Sequence, residues 1–315
     1  MTPASTARES GTWNLEAQSN CHLQSAIGCH GPVARSSETP GPASARFQIR
    51  DDLRFQVPAP RFIDVDWLVR PLANVAARLA RARRITVLTG AGISTASGIP
   101  TFRGADGLWR KTRAETIATP EAFANDPRLV WEWYDWRRQM LRDARPNAAH
   151  EILANWTRTR HGFTLVTQNV DGLLERAGAD PIVRLHGSIW RLRCYQPCHD
   201  GRGEWLDETA PLPTLPPRCP HCGGIARPAV TWFGEPLDLA AFNTAADAAA
   251  ACDLFLAVGT SAVVFPAASL LPLAKAHGAF VVEINPEATG ASDLVDASIR
   301  GRAEDVLAAL HETPD

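Results

Sequence analysis

Residues 84–92 read Arg-Ile-Thr-Val-Leu-Thr-Gly-Ala-Gly, and this stretch indicates the fold class. A short run of β-branched and apolar residues that ends in a glycine turn is typical of a buried strand in an α/β protein. The preceding segment carries apolar residues at helical spacing, at Leu68, Leu72, Val75, Ala76 and Leu79. We therefore predict a helix over 67–83 that leads into this strand.

Later apolar runs repeat the pattern. Five of them have the length of buried strands, at 163–167, 182–186, 229–233, 254–258 and 280–284. Helix-like stretches separate most of them, at 146–159, 237–250, 263–276 and 303–311. Short apolar strands that alternate with helices predict a mainly parallel sheet covered by helices on both faces. In such sheets, ligands bind at the carboxyl ends of the strands.

Length and composition limit the function classes. The chain has 315 residues, of which 45% are hydrophobic and 21% are charged, and its formal net charge is −2. This composition can bury a sizeable core, and the length suggests about two domains or lobes. No apolar run approaches the ~20 residues of a membrane span. The near-zero charge argues against a polycationic surface for nucleic acid, so we expect neither a membrane nor a nucleic acid as a partner.

Residues 1–60 differ from the rest of the chain, because they are rich in Ser, Thr, Pro, Gly and Ala and show no periodicity. They predict a disordered N-terminal extension ahead of a single catalytic domain at 61–315. Two stretches interrupt the strand–helix alternation: 101–145 is aromatic and helix-like, and 189–228 contains Cys, Pro and Gly. These stretches predict a smaller lobe. We expect a large lobe from 61–102, 160–188 and 229–315, and a small lobe from 103–159 and 189–228.

Four of the seven cysteines form two close pairs separated by 20 residues: Cys194, Cys198, Cys219 and Cys222. Two pairs of thiolates joined by a loop suit tetrahedral Zn²⁺, and four thiolate ligands leave no open position for catalysis. We therefore predict one structural zinc. His199 and His221 are alternative ligands nearby, and free thiols or a disulfide are the alternative to a metal site. Cys252 lies in an apolar stretch and is expected in the core.

The glycines at positions 90 and 92 suit a phosphate-binding turn. Glycine lets the backbone approach a pyrophosphate, and the N-terminus of the following helix offers free N–H groups. The stretch lacks the third glycine of the dinucleotide fingerprint and an acidic residue about 20 positions later at a strand end. An ordinary dehydrogenase is therefore disfavoured, and a tight strand–helix turn without a ligand is the alternative.

Several blocks of the sequence point to one family. Residues 90–104 read Gly-Ala-Gly-Ile-Ser-Thr-Ala-Ser-Gly-Ile-Pro-Thr-Phe-Arg-Gly. Further blocks are Thr-Gln-Asn-Val-Asp-Gly-Leu at 167–173, Leu-His-Gly-Ser at 185–188, Trp-Phe-Gly-Glu at 232–235, Gly-Thr-Ser at 259–261 and Asn-Pro-Glu at 285–287. In this order they resemble the signature of the sirtuins, a family of NAD-dependent protein lysine deacylases. The resemblance covers about 65–312 and implies a Rossmann-like large lobe, a smaller lobe made of a helical module and a zinc module, and NAD as co-substrate. Leu174 departs from it, since the family usually has a histidine there, and we expect only a local difference in packing.

The resemblance implies catalytic roles for two residues at predicted strand ends. His186 would be the general base, and Asn169 would also take part in catalysis. The chemistry fits these residue types. Departure of nicotinamide makes the ribose C1′ electrophilic, the acyl carbonyl oxygen captures it, and a base must then deprotonate a ribose hydroxyl. A histidine with a pKa near neutrality suits that task, and a purely structural histidine is the alternative.

The same resemblance implies that a set of glycine, polar and loop residues contacts NAD. These residues are Gly90, Ala91, Gly92, Ile93, Thr101, Phe102, Arg103, Trp109, Gln168, Asn169, Asp171, Gly259, Thr260, Ser261, Asn285, Pro286, Glu287 and Ala303. Phe102 would shield the reacting ribose face and exclude water. For Gln168, Asn169 and Asp171 the alternative is turn capping, which such side chains perform routinely.

One helix-like segment concerns the acyl group. Tyr134 and Arg137 are three positions apart and therefore share a helix face. An arginine beside a phenol can bind a carboxylate through charge-assisted hydrogen bonds. The pair resembles one in the class III sirtuin subgroup, which removes succinyl, malonyl and glutaryl groups, and Ala114 resembles the small residue lining that subgroup's acyl pocket. The alternative is an amphipathic helix that packs its aromatics inward and leaves Arg137 solvated.

We thus expect an α/β enzyme that deacylates protein lysines with NAD, favours succinyl- or malonyl-type groups, and releases nicotinamide and 2′-O-acyl-ADP-ribose. The acylated lysine would bind as part of an extended peptide beside Phe233 and Gly234. An ordinary deacetylase, a mono-ADP-ribosyltransferase, and a non-catalytic zinc module that binds NAD or nucleic acid are the alternatives. The absence of a signal-peptide pattern and the predicted zinc thiolates favour a reducing cytoplasm.

Overall fold

A computed structural model describes residues 66–101, 114–201 and 203–312. The elements all belong to the unit that spans residues 62–315. The predicted extension lies outside the described residues, as do three predicted NAD contacts, Phe102, Arg103 and Trp109. Ala114 is described in its backbone alone, so its predicted place in an acyl pocket also lies outside the described side chains.

Nine helices and nine strands make up the described ranges. The helices are α1 (Asp66–Arg81), α2 (Ala114–Ile117), α3 (Pro120–Asn125), α4 (Pro127–Asp143), α5 (Ala148–Thr159), α6 (Leu173–Arg176), α7 (Leu239–Ala251), α8 (Leu270–Ala276) and α9 (Ala303–Glu312). The strands are β1 (Ile85–Thr89), β2 (Phe163–Thr167), β3 (Val183–Arg184), β4 (Gly187–Cys194), β5 (Trp205–Leu206), β6 (Ala226–Val230), β7 (Leu254–Val258), β8 (Phe280–Ile284) and β9 (Ala297–Ile299). Short 3₁₀ turns occur at Ala91–Ser97 and Ala267–Ser269. Within these ranges, no helix combines the length and apolar character that a bilayer crossing requires.

Six strands form one parallel sheet in the order β3-β2-β1-β7-β8-β9. Strand β1 lies between β2 and β7, where Thr89 pairs in register with Thr167 and with Val258. Because the strands run in one direction, their carboxyl ends meet at one edge, and the predicted ligand-binding turns follow them there. The predicted mainly parallel sheet is confirmed.

Apolar cores cover both faces of this sheet. Helices α1, α5 and α9 bury one face, and α7 and α8 bury the other. Strand β7 is buried at every position, with Leu256 in the first core and Phe255 in the second. Successive side chains of a strand point to opposite faces, so a strand covered on both sides is a continuous apolar run.

A second, antiparallel sheet has the order β5-β4-β6 and packs with α3 and α4 around a third core. This core is rich in tryptophan, with Trp131, Trp133, Trp190 and Trp232. The apolar run at 229–233 was predicted as a strand of the large lobe, and that placement is wrong. The strand is β6, which pairs with β4 in the antiparallel sheet. The run shows that a strand is buried, but it does not encode which strand is its partner.

Helix α5 also differs from its predicted place. The boundary at 159 assigned it to the small lobe, whereas its buried residues Leu153 and Trp156 pack in the core beneath the parallel sheet. A helical period identifies the buried face of a helix but not the sheet against which that face packs. The lobe boundary therefore could not be placed from the sequence pattern alone. Leu174, the departure from the family pattern, is buried in the same core.

Candidate active site

The turn after β1 lies directly against the turn after β7. The Gly92 N–H donates to the Gly259 carbonyl at 2.7 Å, and the Gly90 N–H donates to the Val258 carbonyl at 3.1 Å. A Cβ at Gly92 would lie 2.7 Å from the Cα of Gly259, and a Cβ at Gly90 would lie 2.8 Å from the Cα of Thr260. No side chain fits there, so bare backbone forms this edge of the sheet. A backbone without side chains is what close approach to a pyrophosphate requires, and the predicted NAD residues fit that ligand.

Polar side chains tie the neighbouring strand ends together. Gln168, after β2, donates through Nε2 to Thr260 Oγ1 at 2.8 Å. Asn285, after β8, donates through Nδ2 to the Thr260 carbonyl at 3.2 Å. Under the strand ends, Thr89 Oγ1 donates to Thr167 Oγ1 at 2.8 Å. The structure therefore brings the predicted NAD-binding residues of β1, β2, β7 and β8 to one site.

Asn169 has a fixed amide orientation. Its Nδ2 donates to the Gly90 carbonyl at 3.0 Å and lies 3.4 Å from Ser94 Oγ. Ser94 in turn donates to Asp171 Oδ2 at 2.8 Å, and the other carboxylate oxygen accepts the Leu173 N–H. Burial raises the pKa of Asp171 above its usual range. Because both amide protons of Asn169 are directed at protein acceptors, its Oδ1 is left to accept a hydrogen bond from a ligand.

Two buried residues of this network were not predicted. Ser94 stands inside the glycine-rich block, but its sequence position does not show that it joins Asn169 to Asp171. His150 lies 3.3 Å from Ser94 Oγ through Nε2, and its Nδ1 accepts the Asn147 N–H. Burial lowers the pKa of His150 to about 4, so the ring stays neutral. The one sequence signal for His150 is its position three residues after the helix N-cap Asn147, where a capping box places a polar side chain.

His186 lies between β3 and β4, at the carboxyl edge of the parallel sheet. Its Nδ1 is 2.9 Å from the Gln168 carbonyl oxygen. A carbonyl can only accept, so Nδ1 carries the proton and Nε2 of the neutral ring is a free base. Burial lowers the pKa of His186, and the hydrogen bond to Gln168 partly opposes this shift. At neutral pH the side chain is therefore uncharged and able to accept a proton.

The lowered pKa of His186 sets the expected pH dependence. The neutral ring is the active form, so kcat/KM for an acyl peptide should fall as the pH drops through this pKa. Because burial disfavours the charged ring, the midpoint of the acid limb should lie below 6.5. Initial rates at low substrate between about pH 5 and 9 measure it. A midpoint above the ordinary histidine value would contradict the assignment.

Tyr134 and Arg137 share the inner face of α4. Both are almost fully buried, with 4% of each residue's surface exposed, so Arg137 is not the solvated residue of the alternative interpretation. The Tyr134 hydroxyl accepts a hydrogen bond from Trp232 Nε1 at 3.0 Å. Burial raises the pKa of Tyr134 to about 12 and lowers that of Arg137, and the two groups act on each other electrostatically. The pair forms a buried polar position inside a tryptophan-rich core.

Several other predicted residues lie around the site in different ways. Ile93 and Ala303 have their side chains in the core, so only their backbone can face a ligand. Pro286 and Glu287 are exposed on the loop after β8. Phe233 is 45% exposed, and its N–H donates to the Ala118 carbonyl at 2.9 Å. The remaining described NAD and substrate positions are at least partly accessible turn residues: Ala91, Thr101, Ser261 and Gly234.

The four predicted zinc ligands come together at the far end of β4. The sulfur atoms of Cys194, Cys198, Cys219 and Cys222 all lie within 4.8 Å of one another. Tetrahedral zinc with Zn–S bonds of about 2.3 Å holds its sulfurs about 3.8 Å apart, so this donor set fits one zinc ion. Among the described residues no other group could hold a metal, and neither His199 nor His221 joins this one. Cys252 is buried, as predicted, and donates to the Ala249 carbonyl.

A parallel sheet with a glycine edge, a neutral histidine and a separate four-cysteine module defines a nucleotide-using α/β enzyme. The model of the Sir2 family matches residues 90–266. An NAD-dependent protein deacylase of Aquifex aeolicus is 49% identical over 228 residues, which is 72% of this chain and 94% of that protein. A crystal structure of a Sir2 homolog–NAD complex has a TM-score of 0.70 and 42% identity, covering 76% of this chain and 92% of that chain. The structure of a Sir2 variant with deacetylated p53 peptide and 3′-O-acetyl ADP ribose has a TM-score of 0.65 and 27% identity, covering 76% and 97%.

The chain belongs to the Sir2 family and is a sirtuin-type enzyme. NAD is its cofactor, and the cysteine cluster is compatible with one structural zinc. The resemblance that the sequence blocks indicated is thereby confirmed at the level of the family.

Proposed function

We propose that this enzyme uses NAD to remove acyl groups from protein lysines and prefers short acidic groups such as succinyl and malonyl. The activity in the name of the Aquifex relative supports the first part. The burial of Tyr134 and Arg137 side by side on α4 carries the second part. We further propose that residues 61–315 form the catalytic domain, in which the parallel sheet holds NAD and the module of α4 and β4–β6 holds the acyl group.

NAD supplies an electrophilic ribose carbon when its nicotinamide departs. His186 accepts a proton from a substrate hydroxyl at Nε2, while the Gln168 carbonyl holds the ring in the required tautomer. Asn169 offers its Oδ1 to the ligand, because its two amide protons are held by the protein. The side chains of Gln168 and Asn285 flank Thr260 and position the nucleotide. We expect nicotinamide and 2′-O-acyl-ADP-ribose as products.

The electrostatics of α4 favour an anionic acyl group. A buried guanidinium is costly, and the lowered pKa of Arg137 expresses that cost. A carboxylate at the end of the acyl chain adds a compensating charge and accepts hydrogen bonds from both a guanidinium and a phenol. Acetyl ends in a methyl group and offers neither. The site therefore gains more from binding a succinyl or malonyl group than from binding acetyl.

The peptide around the lysine has a candidate place beside the segment 232–235. Phe233 is exposed although it is large and apolar, and Gly234 follows it at a positive φ of 87°. The p53 peptide in the related Sir2 structure supports a peptide substrate for the family. We propose that the substrate binds here as an extended strand through backbone hydrogen bonds.

A panel of acyl peptides with NAD, read by mass spectrometry, tests the proposal. We expect succinyl and malonyl peptides to be processed with higher kcat/KM than acetyl peptide. In Arg137→Met, kcat/KM for succinyl peptide should fall about 10- to 100-fold, the usual contribution of a hydrogen bond to a charged group. The acetyl peptide should lose much less, because it makes no contact with the guanidinium.

Arg138→Met is the matched control. Arg138 is the next residue of α4, is fully buried, and pairs with Asp207 in the small lobe. Its loss should lower the melting temperature but leave the ratio of kcat/KM for succinyl over acetyl peptide unchanged.

Three results would contradict the proposal. Equal effects of Arg137→Met on both peptides would identify an ordinary deacetylase. Label from NAD on protein would indicate ADP-ribosyl transfer, and no nicotinamide release with any peptide would indicate a non-catalytic module.

A further inference from the structure

Trp232 connects the proposed peptide segment to the proposed acyl site. It directly precedes Phe233 and Gly234, yet only 2% of its own surface is exposed. Its indole Nε1 donates a hydrogen bond to the Tyr134 hydroxyl at 3.0 Å, across 98 positions of the chain. No feature of the sequence indicates this contact, because α4 and the segment after β6 meet only in the fold.

The direction of this hydrogen bond fixes what Tyr134 can do. The indole N–H is a donor and has no acceptor function, so the tyrosine oxygen must accept from Trp232. The tyrosine proton then has to point elsewhere. In the part of the chain that the structure describes, the hydrogen bond found at this hydroxyl is the one from Trp232, and none is found in which the hydroxyl donates. Burial keeps the hydroxyl protonated, with a pKa of about 12. The Tyr134 hydroxyl can therefore donate a hydrogen bond to an acceptor on a bound ligand.

One ion pair holds Trp232 in place. The Arg227 guanidinium carbon lies 3.3 Å from the centre of the indole ring. Arg227 also pairs with both carboxylate oxygens of Glu235, at 2.6 and 2.8 Å. Glu235 Oε2 accepts the backbone N–H of Trp232 at 2.8 Å. Ring and backbone of Trp232 are thus fixed by the same pair, so the direction of its N–H is set before any ligand binds.

We propose that Trp232 is a positioning residue that determines acyl specificity through Tyr134. The Trp232 N–H donates to the phenol oxygen, so the proton of the Tyr134 hydroxyl points away from Trp232. That proton can then be donated to the carboxylate of the acyl group. The inference rests on the proposed preference for acidic acyl groups. It adds a residue that acts through Tyr134 and that links acyl recognition to the proposed peptide-binding segment.

Trp232→Phe removes the N–H and keeps an aromatic ring. We expect the ratio of kcat/KM for succinyl over acetyl peptide to fall about 5- to 10-fold, as for loss of one organising hydrogen bond. The change should appear mainly in the KM for succinyl peptide, because the reacting groups around His186 are untouched. Tyr134→Phe should lower the ratio as well, and the double variant should lower it no further than Tyr134→Phe alone.

Trp131→Phe provides the matched control. Trp131 is fully buried in the same core, and its Nε1 donates to the Ala226 carbonyl at 2.8 Å rather than to the phenol. This variant should lose stability and keep the ratio. If Trp232→Phe does not fold, site-specific replacement of Trp232 by 3-benzothienylalanine removes the N–H at nearly constant shape and repeats the measurement.

The outcomes separate this inference from the proposed function. An unchanged ratio at position 232, together with a lowered ratio in Arg137→Met, overturns the role of Trp232 and leaves the acidic preference standing. A double variant that is additive shows that Trp232 acts by another route and also overturns it. A wild-type enzyme that processes both peptides equally, with no effect of Arg137→Met, overturns both proposals.

Discussion

Replacing His186 with alanine should lower kcat for every acyl peptide by about 10²- to 10⁴-fold, the range that a general base contributes. The structure gives the reason. The ring is neutral, its Nδ1 proton is held by the Gln168 carbonyl, and Nε2 is the basic atom at the carboxyl edge of the sheet. Alanine removes the base without filling the glycine edge, so NAD should still bind. Steady-state rates and NAD titration of the same preparation measure both effects.

His161→Ala is the control for this experiment. His161 is exposed and precedes β2, at the opposite edge of the sheet from His186. Its replacement should leave kcat unchanged. Retention of more than about a tenth of wild-type kcat in His186→Ala would rule out His186 as the essential base.

Replacing Cys219 with serine should abolish zinc binding and unfold the small antiparallel sheet. Structural zinc contributes an apparent ~10–16 kcal/mol to folding, which equals or exceeds the stability of a typical domain. Cys194 ends β4, and Cys219 and Cys222 precede β6, so the metal would clamp the ends of two paired strands. Strand β4 begins directly after His186, and activity should therefore be lost as well.

Metal analysis and thermal unfolding measure this prediction. The wild type should carry about one zinc per chain, as expected for a four-thiolate site. Cys252→Ser is the matched control, because Cys252 is a buried cysteine outside the cluster. It should keep the zinc. A Cys219→Ser variant that retains zinc and the wild-type melting temperature would show that the cluster is not a structural metal site.

The sequence predicted the parallel sheet well, because its strands are apolar runs separated by helices of regular period. The sequence did not predict which sheet a buried strand joins or which core a helix packs in. The run at 229–233 and the helix-like stretch at 146–159 each indicate a buried element, but β6 pairs in the antiparallel sheet and α5 packs in the core of the parallel sheet. Periodicity reports that a face is buried, and the choice of the covering element depends on contacts distant in sequence.

The candidate site also has features that the sequence predicts and features that it does not. The cysteines and the glycine turn were predictable, because ligand spacing and strand ends are local features of the chain. The accompanying network was not. Ser94 comes into contact with His150, Asp171 and Asn169 only in the fold. Trp232 was part of a recognised block, but its hydrogen bond to the tyrosine on α4 depends on how two distant segments pack.

The interlocking glycines at 90, 92 and 259 restrict how this edge of the protein can evolve. A Cβ at Gly259 would lie 2.5 Å from the Ile93 nitrogen, and the other two positions are as crowded by backbone. At Gly92 and Gly259 the neighbouring atoms belong to the backbone, and at Gly90 backbone atoms of Gly259 and Thr260 lie as close as the Thr260 Cβ. A smaller side chain nearby therefore cannot compensate for a substitution at any of the three positions. If related enzymes differ in nucleotide preference, we expect the differences at residues around the glycines, such as Gln168 and Asn285. The three glycines themselves should stay unchanged.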